Sequence, residues 1–296
     1  TACPQELVDF ETVLKKDLAK AGNEKRFAKD KKFWDDQLDA LGEPLYSDIQ
    51  GPSVLEGARK RHGDPKLRAS DIEMNELFVA VKDYHLEPYA TQNLMDFCMN
   101  HQLSMTNLLL LGIRTYLSKV NNGQEDITIQ NFISRRSTHD EWTSGGSRTI
   151  MFPCRTVISP ETDFLSAAYE IQNMQNRIYM HSNYDPALIV DEMRKRYHTP
   201  EHTSYESCYL TYQPMPVKVE NEMLGTVRQH AKWFANGAAT KKMYLTVSHT
   251  EDGGMNFSYH YQTAHLEEHD MELLYYYMMR ILFKGIAEPD MSIGEI

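Results

Sequence analysis

The sequence contains one literal zinc-binding pattern, and its setting argues against metal chemistry. His198, Glu201 and His202 match H-x-x-E-H, in which two histidines bind zinc and the glutamate acts on the metal-bound water. That chemistry needs both histidines on one face of a helix, whereas Pro200 between them would break a helix interior. We therefore interpret the segment as a polar loop that follows a helix, and we predict no metal site.

Other residues with catalytic potential do not form a recognisable site. His249 and His260 lie on two neighbouring predicted strands and could face each other, although partly exposed strand histidines are the simpler interpretation. The sequence has no G-x-S-x-G nucleophile motif, no P-loop and no G-x-G-x-x-G motif after a strand. Residue spacing alone therefore does not identify an active site.

Composition disfavours several classes of function. The net charge is −11, with 42 acidic against 31 basic residues, so we expect no nucleic-acid partner. Apolar runs stay far below the ~18 residues that span a membrane, so we expect no membrane insertion. The four scattered cysteines have no C-x-x-C spacing and suggest reduced thiols in a cytoplasmic protein.

Hydrophobic periodicity predicts an α/β fold. The helices and strands follow the order strand, two helices, strand, strand, two helices, strand, hairpin, helix after two N-terminal helices. This order predicts a mixed β-sheet with packed helices. The predicted helices cover residues 5–21, 27–41, 88–102, 105–120, 162–181, 185–197 and 267–286, and the strands 76–83, 126–134, 149–158, 207–213, 242–249 and 255–262. Residues 42–70 are polar and rich in Gly and Pro, which is typical of a linker.

Several segments, taken in order, resemble the second half of a condensation domain of nonribosomal peptide synthetases. Residues 31–38 resemble the family's fW-x-x-x-L stretch, and residues 103–110 with 126–129 resemble its next helix and strand. An arginine follows the strand at 134–136, and residues 146–155 resemble the segment that ends in P-l-R. The resemblance continues through residues 163–165, 179–186 and 208–213 and covers nearly the whole chain.

Two departures from the family pattern matter for function. Thr149 and Ile150 replace the Asn-Thr pair of the family's F-x-N-T motif. The catalytic HHxxxDG motif is absent from these 296 residues. The chain does not begin with Met, and we expect a fragment whose missing motif lies shortly upstream of Thr1.

The resemblance implies a fold and an activity. Condensation domains consist of two chloramphenicol-acetyltransferase-like lobes with a tunnel between them, and they join two acyl groups carried on phosphopantetheine. Residues 1–45 would be the helical tail of the N-terminal lobe, 46–70 the inter-lobe linker and 71–296 the C-terminal lobe. The partners would be carrier domains and the missing N-terminal lobe. No cofactor would bind directly, and the fragment alone would be inactive although the complete synthetase is an enzyme of secondary metabolism.

The resemblance also assigns roles to particular residues. Arg155 matches the P-l-R arginine, which would pair with the aspartate of the missing HHxxxDG motif and brace the catalytic loop. Ser134 and Arg136 would line the substrate tunnel, and the hairpin at 242–262 would be the latch that crosses to the other lobe. Three alternatives remain open: a noncatalytic platform for carrier proteins, a coenzyme A-dependent acyltransferase of the same fold, and an epimerisation or cyclisation variant.

Overall fold

The computed structural model describes residues 7–214 and 236–296, which form helices packed on a mixed sheet. The helices are α1 (Phe10–Ala21), α2 (Glu24–Leu41), α3 (Ser53–His62), α4 (Pro88–Asn100), α5 (Met105–Val120), α6 (His139–Thr143), α7 (Phe164–Met180), α8 (Pro186–Tyr197) and α9 (Glu268–Ala287). The strands are β1 (Ser70–Asp71), β2 (Val79–Leu86), β3 (Asp126–Ser134), β4 (Thr149–Val157), β5 (Thr203–Ser204), β6 (Cys208–Gln213), β7 (Met243–His249) and β8 (Met255–Gln262).

The main sheet has the strand order β2-β8-β7-β6-β3-β4. β6 runs parallel to both β3 and β7, and the remaining neighbours are antiparallel. Helices α4, α5, α7 and α9 cover one face, and α5 is buried along most of its length. The α/β class with a mixed sheet and packed helices is confirmed.

Local signals in the sequence explain where the core helices begin. The Ser104 hydroxyl accepts a hydrogen bond from the backbone N–H of Asn107, and Asp163 caps α7 in the same way. Pro88 and Pro186 occupy the first turns of α4 and α8, where a missing N–H costs nothing. These four positions agree with the predicted starts.

The predicted hairpin at 242–262 exists, but it is not a crossing latch. β7 pairs with β6 on one side, and β8 pairs with β2 on the other. Both strands therefore lie inside the sheet and have no free edge with which to cross to another body. The latch assignment is wrong for these residues.

The segment assigned to the inter-lobe linker is packed against the rest of the fold. It contains α3, which periodicity did not predict because only Leu55 and Ala58 of this helix are buried. Asp48 is buried and pairs with Lys242 at 2.7 Å, just before β7. The backbone N–H and C=O of Asp48 also bond to the Asn121 side chain at the end of α5.

The two N-terminal helices differ in how they pack. In α1 the only buried residue is Val13, whereas α2 buries Phe33, Trp34 and Leu38. The Trp34 ring stacks on Phe152 of β4, with ring centres 5.5 Å apart.

None of the helices in the described ranges is both long and apolar enough to cross a membrane.

Candidate functional site

Arg155 forms a two-pronged ion pair within the sheet. It lies on β4, and its Nε and Nη2 each donate to one carboxylate oxygen of Asp126 at 2.7 Å. Asp126 begins the neighbouring strand β3, so the pair fastens the two strands at one end. Such a fork–fork geometry fixes both orientation and distance, which a lysine could not do.

The same guanidinium also holds the end of α2. Its Nη1 donates to the carbonyl of Gly42 at 2.6 Å, and Nη2 lies within 3.3 Å of the carbonyls of Leu41 and Glu43. The carbonyls at a helix C-terminus carry partial negative charge and attract a cation. Arg155 therefore connects the helical tail to the sheet. The aspartate of the HHxxxDG motif lies outside this sequence, so that pairing stays a prediction.

Ser134 and Arg136 lie together at the opposite end of β3. Ser134 is exposed, and the Arg136 guanidinium donates to the carbonyls of Ser144 at 3.0 Å and Gly146 at 2.7 Å. From Thr128, which faces Arg155, to Ser134 the strand extends about 20 Å. The two groups of predicted site residues therefore occupy opposite ends of one strand. Their tunnel-lining role stays a prediction.

The loop between β3 and β4 contains a buried ion network that sequence reasoning missed. Arg148 bonds to Asp17 of α1 at 2.5 Å and to Glu141 of α6 at 3.2 Å. Burial would raise the pKa of Glu141, but hydrogen bonds from Ser137 and from other groups outweigh burial and lower that pKa to about 2. The capping-box pattern from Thr138 to Glu141 was the available sequence signal.

The sheet face opposite the core helices carries polar and aromatic side chains. Neighbouring strands present matching residues there, because Tyr209 lies beside Tyr244 and Tyr244 lies beside His260. The set is Tyr209, Thr211, Gln213, Tyr244, Thr246, Ser248, Asn256, Ser258 and His260, and most of these side chains are half-buried. Burial lowers the pKa of His260, which favours its neutral form. We call this set the open sheet face.

The two hairpin histidines do not face each other. The register places Met255 opposite His249 and Tyr244 opposite His260. His249 instead bonds to the Tyr212 hydroxyl at 2.7 Å on the core side. The simpler interpretation, two partly buried strand histidines, agrees with their burial.

The H-x-x-E-H residues do not share a helix. His198 ends α8 with φ of 51°, and His202 has φ of 58° in the following turn. Within residues 7–214 and 236–296, no cluster of three or more His, Cys, Asp or Glu side chains could hold a metal ion.

The three cysteines in the described ranges are buried and unreactive. Burial raises the pKa of the Cys98 thiol to about 11 and those of Cys154 and Cys208 to about 12. A thiolate is the reactive form of cysteine, and these groups stay protonated at neutral pH.

A small cavity lies between α2 and the edge of the sheet, and we call it the α2 cavity. Its volume is about 40 Å³. Apolar side chains from α2, α7 and α8 form most of the wall, and Thr128, Arg155 and Glu206 supply polar groups. Glu206 accepts a hydrogen bond from Gln130 at 2.5 Å, and burial raises the pKa of its carboxyl.

Comparison with known proteins decides the family. A family model described as the condensation domain matches residues 6–296. The chain belongs to the condensation-domain family. This confirms the family predicted from the order of the motifs.

Curated relatives of this condensation domain are parts of large synthases. The chain is 20% identical over 273 residues to a plipastatin synthase polypeptide of Bacillus subtilis, and 21% identical over 274 residues to a surfactin synthase polypeptide of the same organism. In each case 92% of the chain is aligned, but only 10% and 7% of the relatives' own lengths.

Solved structures of condensation domains share the fold. The first condensation domain of the CDA synthetase matches with a TM-score of 0.76 at 14% identity, over 100% of this chain and 58% of that one. VibH, described as an NRPS condensation enzyme, matches with a TM-score of 0.70 at 12% identity, over 99% and 64%. The chain therefore has the chloramphenicol-acetyltransferase-like fold and spans about three fifths of these condensation domains.

Proposed function

We propose that this chain is the C-terminal part of a condensation domain that forms amide bonds between aminoacyl or peptidyl thioesters tethered to carrier domains through phosphopantetheine. The family match over residues 6–296 carries the proposal. The similarity to two peptide synthases supports a place in nonribosomal peptide synthesis. The partners would be carrier domains and the N-terminal lobe, the phosphopantetheine would belong to the carriers, and the compartment would be the cytoplasm.

Under this proposal the residues of the chain position substrates rather than react with them. The buried cysteines are protonated, and the histidine of the open sheet face is neutral at physiological pH. In the reaction the acceptor amine attacks the carbonyl carbon of the donor thioester, the C–N bond forms, the C–S bond breaks and the donor carrier's thiol leaves. Holding both reactants in line supplies much of the rate. The open sheet face, with Ser134 and Arg136 at one end, would form one wall of the tunnel.

Arg155 would act as a positioning residue. It holds the end of α2 against the sheet, and in the complete domain it would brace the loop that carries the HHxxxDG motif. The general base would come from that motif. Because the motif is absent from these 296 residues, we propose that the chain alone does not catalyse amide formation.

The test uses the natural full-length protein that contains the chain. Aminoacyl thioesters of N-acetylcysteamine serve as donor and acceptor, and mass spectrometry detects the amide product. We expect product from the full-length protein and none from the 296-residue chain. Arg155→Lys in the full-length protein should lower kcat roughly ten- to hundredfold with little change in KM, because it displaces a positioned loop.

Arg194→Lys is the matched control, since Arg194 is exposed on α8 and should leave kcat unchanged. If the full-length protein binds carrier domains yet forms no amide, the catalytic proposal fails and the platform alternative replaces it. If coenzyme A esters react and carrier-bound or N-acetylcysteamine thioesters do not, the chain belongs to a coenzyme A-dependent acyltransferase.

A further inference from the structure

A groove runs between α9, the end of α5 and residues 49–50, and we call it the α9 groove. Its volume is about 640 Å³, and pockets for small ligands typically measure about 300–1,000 Å³. Ile49, Tyr116 and Ile281 line the groove although they are buried, so they form its floor. The Tyr116 hydroxyl donates to the carbonyl of Ile49 at 3.3 Å, which joins α5 to residues 49–50. The floor is therefore a packed and mainly apolar surface.

One end of the groove carries positive charge without a carboxylate partner. Lys119 and Arg280 both line the groove, and neither forms a salt bridge within the part of the chain that the structure describes. Lys119 Nζ donates only to the uncharged carbonyl of Gly294, at 2.7 Å. Burial and the neighbouring Lys284 lower the pKa of Lys119. An anionic group at this end would relieve the repulsion between these cations.

The other end of the groove carries Asp270. Its Oδ2 accepts hydrogen bonds from Gln50 Nε2 at 3.1 Å and from the backbone N–H of Glu267 at 2.8 Å. Among the described residues, no group donates to its Oδ1. Asp270 and Arg280 lie ten residues apart on α9, so the two ends of the groove are about 15 Å apart. The complementary ligand has an ammonium group and a carboxylate at that separation.

A short peptide with free termini has this arrangement of charges. An extended chain advances ~3.3–3.6 Å per residue, so about four residues span the groove. Alternate side chains of an extended chain point the same way, and apolar ones can therefore face the floor together. A fatty acid would match the positive end, but it would place a methyl group against Asp270 and Gln50. A loop of another protein has no free termini.

We propose that the α9 groove binds a short extended peptide, with its carboxylate at Lys119 and Arg280 and its ammonium group at Asp270. The groove is built by α5 and α9, which cover the face of the sheet opposite the open sheet face. The site is therefore separate from the proposed tunnel, and the inference does not rest on the proposed function.

Equilibrium binding of one peptide and its two capped forms tests both ends of the groove. The probe is the tetrapeptide Leu-Ser-Leu-Ser, and ligand-observed NMR titration with the natural full-length protein gives its Kd. We expect amidation of the C-terminus to weaken binding roughly three- to tenfold, because two exposed ion pairs are lost. Acetylation of the N-terminus should weaken it roughly two- to fivefold, because one is lost. Both effects should shrink as the salt concentration rises.

Variants of each end should abolish one preference and keep the other. Lys119→Gln combined with Arg280→Gln removes the positive end, so this protein should bind the free and the amidated peptide equally. Gln50→Lys places a cation beside Asp270, so this protein should bind the free and the acetylated peptide equally. Thermal melting checks that each variant is folded.

Lys60→Gln combined with Arg194→Gln is the matched control. It also removes two exposed positive charges, but neither residue lines the groove. Both binding ratios should stay at their wild-type values, which separates the groove from the general charge of the protein.

The inference is overturned if the wild type binds the free and amidated peptides equally, or if the folded Lys119→Gln, Arg280→Gln protein keeps the wild-type ratio. Tighter binding of decanoate than of the tetrapeptide would replace the peptide with a fatty acid. Peptide binding by the 296-residue chain but not by the full-length protein would show that another part of the protein covers the groove, and would also overturn it. None of these measurements requires amide formation, so the proposed function can fail without affecting this inference.

Discussion

Charged side chains withdrawn from water hold the loops of this domain in place. Arg155, Asp48 and Glu141 are all largely buried, and each bonds both to an opposite charge and to the backbone. Removing one member of such an ion pair leaves the opposite charge buried and unpaired, which typically costs about 3–5 kcal/mol of stability. A single substitution at any one of these positions should therefore lower the free energy of unfolding substantially.

Glu141 should make the protein sensitive to acid. Its pKa is lowered from 4.5 to about 2, and each unit corresponds to about 1.36 kcal/mol, so the ionised form contributes roughly 3 kcal/mol. A lowered pKa gives stability that is complete above pH 4.5 and disappears as the pH falls towards 2. Urea unfolding at pH 7, 4 and 3 should show roughly 2 kcal/mol of this contribution lost by pH 3.

The comparison with Glu141→Gln isolates that contribution from the other carboxylates. The variant should be less stable at pH 7, and its stability should fall less steeply between pH 4.5 and pH 3. Glu56→Gln, at an exposed position on α3, should behave like the wild type. Equal pH slopes for the wild type and Glu141→Gln would show that the carboxylate is not specifically stabilised in the folded state.

At the scale of elements, α1 reaches the loop before β4 through a close contact at Gly146. This residue has φ of 84°, and a Cβ built there would lie 2.7 Å from the Phe10 ring. Gly146→Ala should therefore destabilise the protein by at least about 1–2 kcal/mol from the backbone alone, and displacement of the ring adds to this. Urea unfolding measures the change in free energy.

Gly145→Ala is the neighbouring control, since no atom lies within 4 Å of its Cβ position and its φ is not positive. It should stay within about 0.5 kcal/mol of the wild type. If both alanine variants lose the same stability, the contact between α1 and the loop does not explain the effect.

The sequence predicted the elements whose apolar pattern or caps are strong. α5 and β3 were predicted at the residues where they occur, because Ser104 caps the helix and Ile127 and Ile129 alternate in the strand. α3 was missed because its apolar face is only two buried residues wide. The candidate site was also predicted only in part. Arg155 was identified through resemblance, but its contacts with Asp126 and with α2 depend on strand order, which periodicity does not encode.

At the scale of the whole molecule, the packing of α2 bears on the predicted boundary between an N-terminal lobe and a C-terminal lobe. The boundary at residue 45 assigns α1 and α2 together to the N-terminal lobe. Yet α2 buries three apolar side chains, stacks Trp34 on β4 and ends on the Arg155 guanidinium. α1 buries only Val13, and its other contacts are the Phe10 ring against Gly146 and several ion pairs, of which the exposed ones contribute little.

Hydrogen exchange should therefore show different amide protection in α1 and in α2. We expect the amides of α2 to be protected as strongly as those of β4, since α2 can open only if the core around Phe152 opens with it. The amides of α1 should exchange much faster, through a local opening that leaves the sheet intact. Arg155→Lys should reduce protection in the last turn of α2 and leave α1 unchanged. Equal, fast exchange in both helices would instead show that residues 1–45 behave as one tail that is separate from the C-terminal lobe.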